Sequence, residues 1–99
     1  EEGKWASSIY HSYASMVNSA KALLTSEDVK TNTHAGIIRD FQEHFVASGK
    51  LELGTSFESL VLQLKQNAPT GAFATAYLND ARNFLEIAET YRKRELVEA

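Results

Sequence analysis

Two stretches of this sequence, one near each end, repeat the same spacing of apolar residues. The steps between apolar positions are four, four, three, four and three in both stretches. The positions are Trp5, Ile9, Tyr13, Met16, Ala20 and Leu23 in the first, and Phe73, Tyr77, Ala81, Phe84, Ala88 and Tyr91 in the second. This spacing places the apolar side chains on one face of an α-helix. We predict a first helix over residues 4–24 and a last helix capped by Thr70, each roughly 30 Å long at 1.5 Å per residue.

Two shorter helices are predicted between the long ones. Thr33 is a suitable N-cap for the second helix, over residues 33–48, and Gly49 supplies its C-terminal stop. A third helix begins with Thr55 and Glu58 in capping-box spacing and is expected to end near position 67, before the single proline. The expected buried residues are Ile37, Ile38, Phe41 and Phe45 in the second helix, and Phe57, Leu60, Val61 and Leu64 in the third.

These elements predict an all-α fold, an antiparallel four- or five-helix up-and-down bundle, because two long and two short helices are joined by short links. We expect the two long helices to pack against the two short ones. The 99 residues are enough for one core, so residues 1–99 are predicted to form a single domain. The first residue is not methionine, and we expect the domain to be the C-terminal piece of a longer protein.

Composition narrows the classes of function. The formal net charge of −3 lacks the strongly positive field that sequence-independent nucleic-acid binding needs. Without cysteine, the sequence offers no disulfide, no thiolate metal site and no cysteine-ligated iron–sulfur cluster. No apolar run approaches the roughly 20 residues of a membrane span. We therefore expect a cytoplasmic domain that does not contact a membrane.

The three histidines were the first candidates for chemistry. His34 and His44 are ten residues apart, which on one helix separates them by about 80° in direction and nearly three turns in height, so they cannot share a metal ion. His11 forms no HxxxH or HExxH pattern with either. Nucleophile turns of the G-x-S-x-G type and phosphate-binding glycine loops are also missing. We predict no catalytic residue and no metal site.

One polar pattern leaves two interpretations open. Small or polar residues recur on the first helix at Ser8, His11, Ser15 and Asn18. They are either ordinary surface or a face that a partner, including a second copy of the chain, approaches closely.

The first half of the chain carries a resemblance to a known family. Residues 7–24 read SSIYHSYASMVNSAKALL, and residues 30–49 read KTNTHAGIIRDFQEHFVASG. Together they resemble the HEPN family of helical domains, which shows a tyrosine-rich and alanine-rich first segment and a T-H-x-G-x-I-x-x-F-x-x-H-F-V helix. Residues 76–91 are similar to the last helix of that family.

Active HEPN members are ribonucleases in which a histidine follows an arginine by four to six residues. No histidine follows Lys65 or Arg82 at that spacing, so the resemblance implies a degenerate motif. Arg39 and His44 match the spacing but lie on the family's H-F-V helix, where a five-residue step separates them by about 140°.

Within the family, the chain resembles the helical segment at the C-terminal end of some bacterial nitrite and sulfite reductases. The resemblance implies a non-catalytic accessory domain that binds the parent reductase domains, another protein or a second copy in a homodimer. Sirohaem and a 4Fe–4S cluster are then expected only in the reductase portion, with no cofactor in this domain. The alternative is a nucleotide- or RNA-binding module that uses Lys30, His34 and Arg39 at the start of the second helix.

Overall fold

The computed structural model describes residues 2–98, with side chains described for residues 4–95. The elements in chain order are α1 (Glu2–Ser26), α2 (His34–Phe41) with a following π-helical turn (Gln42–Val46), α3 (Phe57–Val61) with a following 3-10 turn (Leu62–Lys65), and α4 (Gly71–Glu98). The predicted all-α bundle is confirmed, since the described residues contain no strand.

Two hydrogen bonds and one backbone angle confirm three predicted helix boundaries. The Thr33 hydroxyl accepts a hydrogen bond from the Gly36 amide at 3.0 Å, and the Thr70 hydroxyl accepts one from the Phe73 amide at 3.1 Å. Gly49, after the π turn, has a φ of 84°, in the left-handed region that glycine enters without steric cost. These boundaries depend on neighbouring residues alone, which is why the sequence predicts them.

The predicted cap of the third helix is wrong by one residue. Ser56 caps α3, with its Oγ accepting from the Ser59 amide at 3.0 Å, and Thr55 does not. The reason is a tertiary contact. The Gln42 side chain of the π turn accepts a hydrogen bond from the Phe57 amide at 2.7 Å, which satisfies an otherwise unpaired amide of the first turn and fixes where α3 begins.

Contacts at both ends of the long helices show that α1 and α4 run in the same sense. A Cβ on Gly71, the first residue of α4, would lie 3.1 Å from the indole of Trp5 near the start of α1. At the other end, the Tyr91 hydroxyl donates a hydrogen bond to Glu27, the residue after α1, at 3.1 Å.

The short helices run in opposite senses. α2 runs in the same direction as α1 and α4. It begins with His34 beside Tyr13, and its π turn places Phe45 against Tyr91. The contacts that give α3 the opposite direction are Phe57 with Phe84 and Val61 with Tyr77. Among the described helices, α3 is therefore the one that runs against the other three, and the connection over residues 27–33 carries the chain back along the bundle before α2. Seven extended residues span up to roughly 23 Å, enough to return along the bundle.

Four phenylalanines form the centre of the core. The Phe41 ring lies 4.9 Å from Phe45, 4.5 Å from Phe57 and 5.5 Å from Phe84, centroid to centroid. All four side chains are at most 1% exposed. The two long helices are in extensive contact, with alanines buried at positions 20, 74, 81 and 88. Neither of them, nor any other helix in residues 2–98, has the length and apolarity needed for a membrane crossing.

Candidate functional site

The three residues predicted to bind a nucleotide or partner flank the first turn of α2. Lys30 is exposed in the connection that leads to it. His34 is exposed at its start, and its Nδ1 lies 3.2 Å from the hydroxyl oxygen of Tyr13. Burial, followed by the neighbouring Tyr10, raises the pKa of Tyr13. The hydroxyl therefore stays protonated, and the tautomer of His34 determines whether it donates a hydrogen bond to Nδ1 or accepts one from it.

Arg39, the third predicted residue, contacts its neighbour in sequence. Its Nε lies 3.3 Å from Oδ1 of Asp40, whose Oδ2 accepts a hydrogen bond from the Thr31 hydroxyl at 2.5 Å. The Thr31 hydrogen bond is the main cause that lowers the pKa of Asp40, and Arg39 adds to it. Nη2 of Arg39 comes within 3.9 Å of the position that a Cβ on Gly36 would take. The guanidinium thus reaches back over the first turn of α2.

The connecting segment covers part of this turn. A Cβ on Gly36 would lie 2.5 Å from Cγ2 of Thr31 and 2.8 Å from Oγ1 of Thr33, too close for real atoms. The chain therefore needs glycine here, because the connection packs directly on the helix. The Gly36 amide already donates a hydrogen bond to the Thr33 hydroxyl. One of the amides at this helix start is therefore not free to bind an anion.

The remaining histidines do not join this group. His11 and His44 are exposed on α1 and on the π turn. Within the described part of the chain, no three His, Asp or Glu side chains group in a way that could hold a metal ion. The polar positions of the first helix, Ser8, His11, Ser15 and Asn18, are exposed or half-buried.

A groove that the sequence analysis did not predict lies between residues 50–53 and the C-terminal half of α4. Its volume is about 720 Å³. Buried Leu51 and half-buried Leu53, Ile87 and Tyr91 form an apolar floor. The rim is polar and consists of Lys50, Glu52, Asn83, Glu86, Thr90 and Arg94. One feature of the sequence could have indicated this groove: Leu53 and Ile87 are apolar residues outside the predicted buried faces.

A depression of about 130 Å³ continues the groove towards the start of α4. It shares Leu53, Asn83 and Ile87 with the groove and reaches Asp80. The combined surface extends from Asp80 to Arg94, which is roughly 21 Å along α4 at 1.5 Å per residue.

Glu27 fixes one end of the groove. Nζ of Lys50 lies 2.7 Å from one carboxylate oxygen of Glu27, and the Tyr91 hydroxyl donates to the other. The Phe45 ring contacts both partners: Nζ of Lys50 lies over it at 5.5 Å, and the Tyr91 ring is perpendicular to it with a centroid distance of 5.5 Å. The Lys50 hydrogen bond is the main cause that lowers the pKa of Glu27, while burial raises the pKa of Tyr91. A charged carboxylate and a protonated phenol thus hold the two walls together.

Comparison with known proteins shows similarity over about half of the chain. Over 52 residues, the chain is 46% identical to a UPF0332 protein of Pyrococcus horikoshii, a name that states no activity. The match takes in 52% of this chain and 37% of that protein, so the chain covers well under two thirds of the relative's length. No protein-family model matches the chain, and no solved structure matches it. What the comparison establishes is similarity to a UPF0332 protein over that stretch.

Proposed function

We propose that this chain is a non-catalytic accessory domain that binds a segment of another polypeptide in the groove along α4. The groove is the observation that carries the proposal, because its volume of about 720 Å³ falls in the range of specific binding pockets, about 300–1,000 Å³. Burial of its apolar floor would stabilise a complex, and its polar rim would orient the bound segment. The Glu27 contacts position the walls before binding, which lowers the ordering cost.

The proposed parent is a bacterial nitrite or sulfite reductase with a HEPN-like C-terminal domain. Its support is the resemblance of residues 30–49 to the central helix of such domains. Sirohaem and the 4Fe–4S cluster would belong to the reductase portion. The present chain does not fit a cluster, since it has no cysteine to ligate one.

The coding sequence upstream of Glu1 gives the first test, and we expect four cysteines there with iron–sulfur cluster spacing. Deleting residues 1–99 from the whole protein should leave reductase turnover per cluster unchanged. The deletion should also abolish association of the whole protein with the polypeptide that binds in the groove. Size-exclusion chromatography with light scattering measures that association. Lost turnover with intact association would contradict an accessory role.

A second candidate function is nucleotide or RNA binding through Lys30, His34 and Arg39. The observation that favours it is the Arg39 guanidinium over the first turn of α2, since helix N-termini attract phosphate. Tyr10, which is 63% exposed, lies beside Tyr13 with a centroid distance of 6.2 Å, and an exposed aromatic face can stack on a base.

An NMR titration tests this candidate. Adenosine monophosphate or a short RNA is added to millimolar concentration while the side-chain resonances of His34 are followed. A saturable shift that Arg39→Ala weakens would support binding, and the RNA should stay intact. Unchanged His34 resonances would remove the candidate.

A further inference from the structure

Gln42 holds both ends of the segment that forms one wall of the groove. Its carbonyl oxygen accepts a hydrogen bond from the Ala47 amide at 2.7 Å, and its side-chain Oε1 accepts one from the Phe57 amide at 2.7 Å. Residues 48–56 therefore form a loop whose two ends are fixed to the same residue, as in an Ω-loop. Such a loop can move without displacing α2 or α3.

Two glycines flank the part of this loop that lies in the groove wall. Gly49 has a φ of 84° and Gly54 has a φ of 76°, and a Cβ added at either position would have no neighbouring atom within 4 Å. Backbone freedom in open space is what a hinge requires. We call residues 50–53 the strap, because they connect these two hinges and lie beside α4.

Few contacts hold the strap in place. The Leu51 side chain is 6% exposed, and its amide donates a hydrogen bond to the Phe45 carbonyl oxygen at 2.8 Å. Nζ of Lys50 lies 2.7 Å from Glu27, in an ion pair whose side chains are 43% and 27% exposed. Among the described residues, the backbone of residues 52–55 has no hydrogen-bond partner. A segment with one fully buried side chain and a largely unpaired backbone has low local stability.

We propose that the strap is a gate on the groove, which opens as a unit about its two glycine hinges while the Gln42 hydrogen bonds keep the loop ends in place. The ion pair between Lys50 and Glu27 is its latch. The latched strap shapes the groove described above, and its opening withdraws Leu51 from the core and uncovers the Phe45 ring. The gate thus determines how much apolar surface a bound segment contacts. It regulates the site of the proposed function and rests on that function for its purpose.

Native-state hydrogen exchange of the intact chain tests the gate, with NMR spectra recorded at several urea concentrations below the unfolding transition. The Leu51 amide reports on opening, because its described partner is the Phe45 carbonyl oxygen. We expect it to exchange faster than the Phe84 amide in the middle of α4. Its exchange should depend little on urea, since opening of the strap exposes little surface, whereas Phe84 exchange should follow global unfolding.

Removal of the latch sharpens the test. Lys50→Gln should accelerate exchange of the Leu51 amide roughly two- to fivefold, which corresponds to the loss of an exposed ion pair. The Phe57 amide should keep its exchange rate, because Gln42 still holds it. Lys93→Gln makes the same charge change in the exposed pair with Glu89, away from the strap, and should leave Leu51 exchange as it is.

Four outcomes would overturn the proposal. In the unmodified chain, a urea dependence as steep for Leu51 as for Phe84 would mean that the strap opens only when the whole chain unfolds. In Lys50→Gln, an unchanged Leu51 rate would remove the latch, and equal acceleration of Leu51 and Phe57 would show that the loop ends are not held. The same acceleration of Leu51 in Lys93→Gln would show a general effect of charge.

The exchange result can be separated from the proposed function. If Leu51 exchanges only by global unfolding while deletion of residues 1–99 still abolishes association of the whole protein, the gate is wrong and the accessory role stands. If Leu51 exchanges as expected while the deletion leaves association intact, the gate exists but the accessory role is wrong.

Discussion

The sequence predicts the burial of Phe41 but not the direction of the Arg39 side chain, which lies two residues before it on α2. The apolar spacing of the helix predicts that Phe41 is buried, and it has no exposed surface. Arg39 is predicted to bind a ligand, and in the structure its guanidinium contacts Asp40 and reaches back over the helix start. Its direction depends on Thr31, which fixes Asp40 and arrives through the returning connection. The helical period determines which side chains of a helix are buried, whereas tertiary contacts determine where an exposed side chain points.

Substitution of Phe41 tests the core at this scale. Phe41→Ala should lower the free energy of unfolding by about 3–5 kcal/mol, because it removes a buried ring and leaves a cavity among three others. Urea unfolding followed by circular dichroism measures the loss. Phe73→Ala is the control, since Phe73 is only half-buried and should cost less. An unchanged midpoint in Phe41→Ala would show that this ring is not central.

At the scale of elements, the boundaries set by local residues were predicted and the boundary set by a distant residue was not. Thr33 and Thr70 cap helices through amides three residues away. At α3, Thr55 is the predicted cap, and the adjacent Ser56 is the residue that caps the helix. The choice between them was made by Gln42, which binds the Phe57 amide from another helix. No pattern within residues 55–58 contains that contact.

The packing of the returning connection on α2 gives the second prediction. Alanine favours a helix over glycine by about 1 kcal/mol, but a Cβ on Gly36 would meet Thr31 Cγ2 at 2.5 Å. We expect Gly36→Ala to lower the free energy of unfolding by about 1–3 kcal/mol through overpacking. Thr31→Ser removes that methyl group and keeps the hydroxyl that binds Asp40.

A double-mutant cycle measures this contact. The variant with both Gly36→Ala and Thr31→Ser should recover part of the loss, and only part, because the 2.8 Å contact with Thr33 Oγ1 remains. A coupling energy of zero would mean that Thr31 does not pack against this turn.

The Glu27 contacts give a third prediction, in the pH dependence of stability. The pKa of Glu27 is lowered from its ordinary 4.5, mainly by Lys50. Its contribution is therefore complete above pH 4.5 and is lost as the pH falls through the lowered folded-state pKa. Glu27→Gln should cost roughly 0.5–1 kcal/mol at neutral pH. The difference from the unmodified chain should vanish in acid.

Unfolding free energies measured from neutral pH to acid check this expectation. Glu89→Gln is the matched control, since Glu89 pairs with Lys93 in a contact whose two side chains are 70% and 73% exposed. Such a pair contributes little, so this variant should follow the unmodified chain at every pH. The same pH dependence in both variants would contradict the Glu27 contacts.

At the scale of the whole molecule, the shared direction of α1, α2 and α4 determines where charge and the groove lie. The partial negative charges of helix C-termini gather at one end, where Lys50 and the basic residues 92–94 offset them. The groove exists because residues 50–53 return beside α4. Link lengths alone do not say whether a connection turns sharply or runs back along the bundle. Neither the helix directions nor the groove could therefore be predicted from the sequence.

Spin labelling tests the direction of the long helices. The sequence has no cysteine, so labels attach only where cysteines are introduced. Ala6, Ala72 and Arg92 are exposed, the first two near the starts of α1 and α4 and the third near the end of α4. Ala6→Cys with Ala72→Cys should bring two labels close enough to broaden the continuous-wave spectrum. Ala6→Cys with Arg92→Cys should separate them by roughly 30 Å, the rise of twenty helical residues.

Double electron–electron resonance measures the longer of these distances. A separation of that size fits the bundle, whose longest dimension is 46 Å. Circular dichroism of each labelled variant serves as the control, because all three positions are exposed and the helix content should not change. If the broadening appears in the Ala6 and Arg92 pair and the long distance in the Ala6 and Ala72 pair, α1 and α4 are antiparallel. In that case residues 50–53 would not return beside α4 as described, and the groove would lose its structural basis.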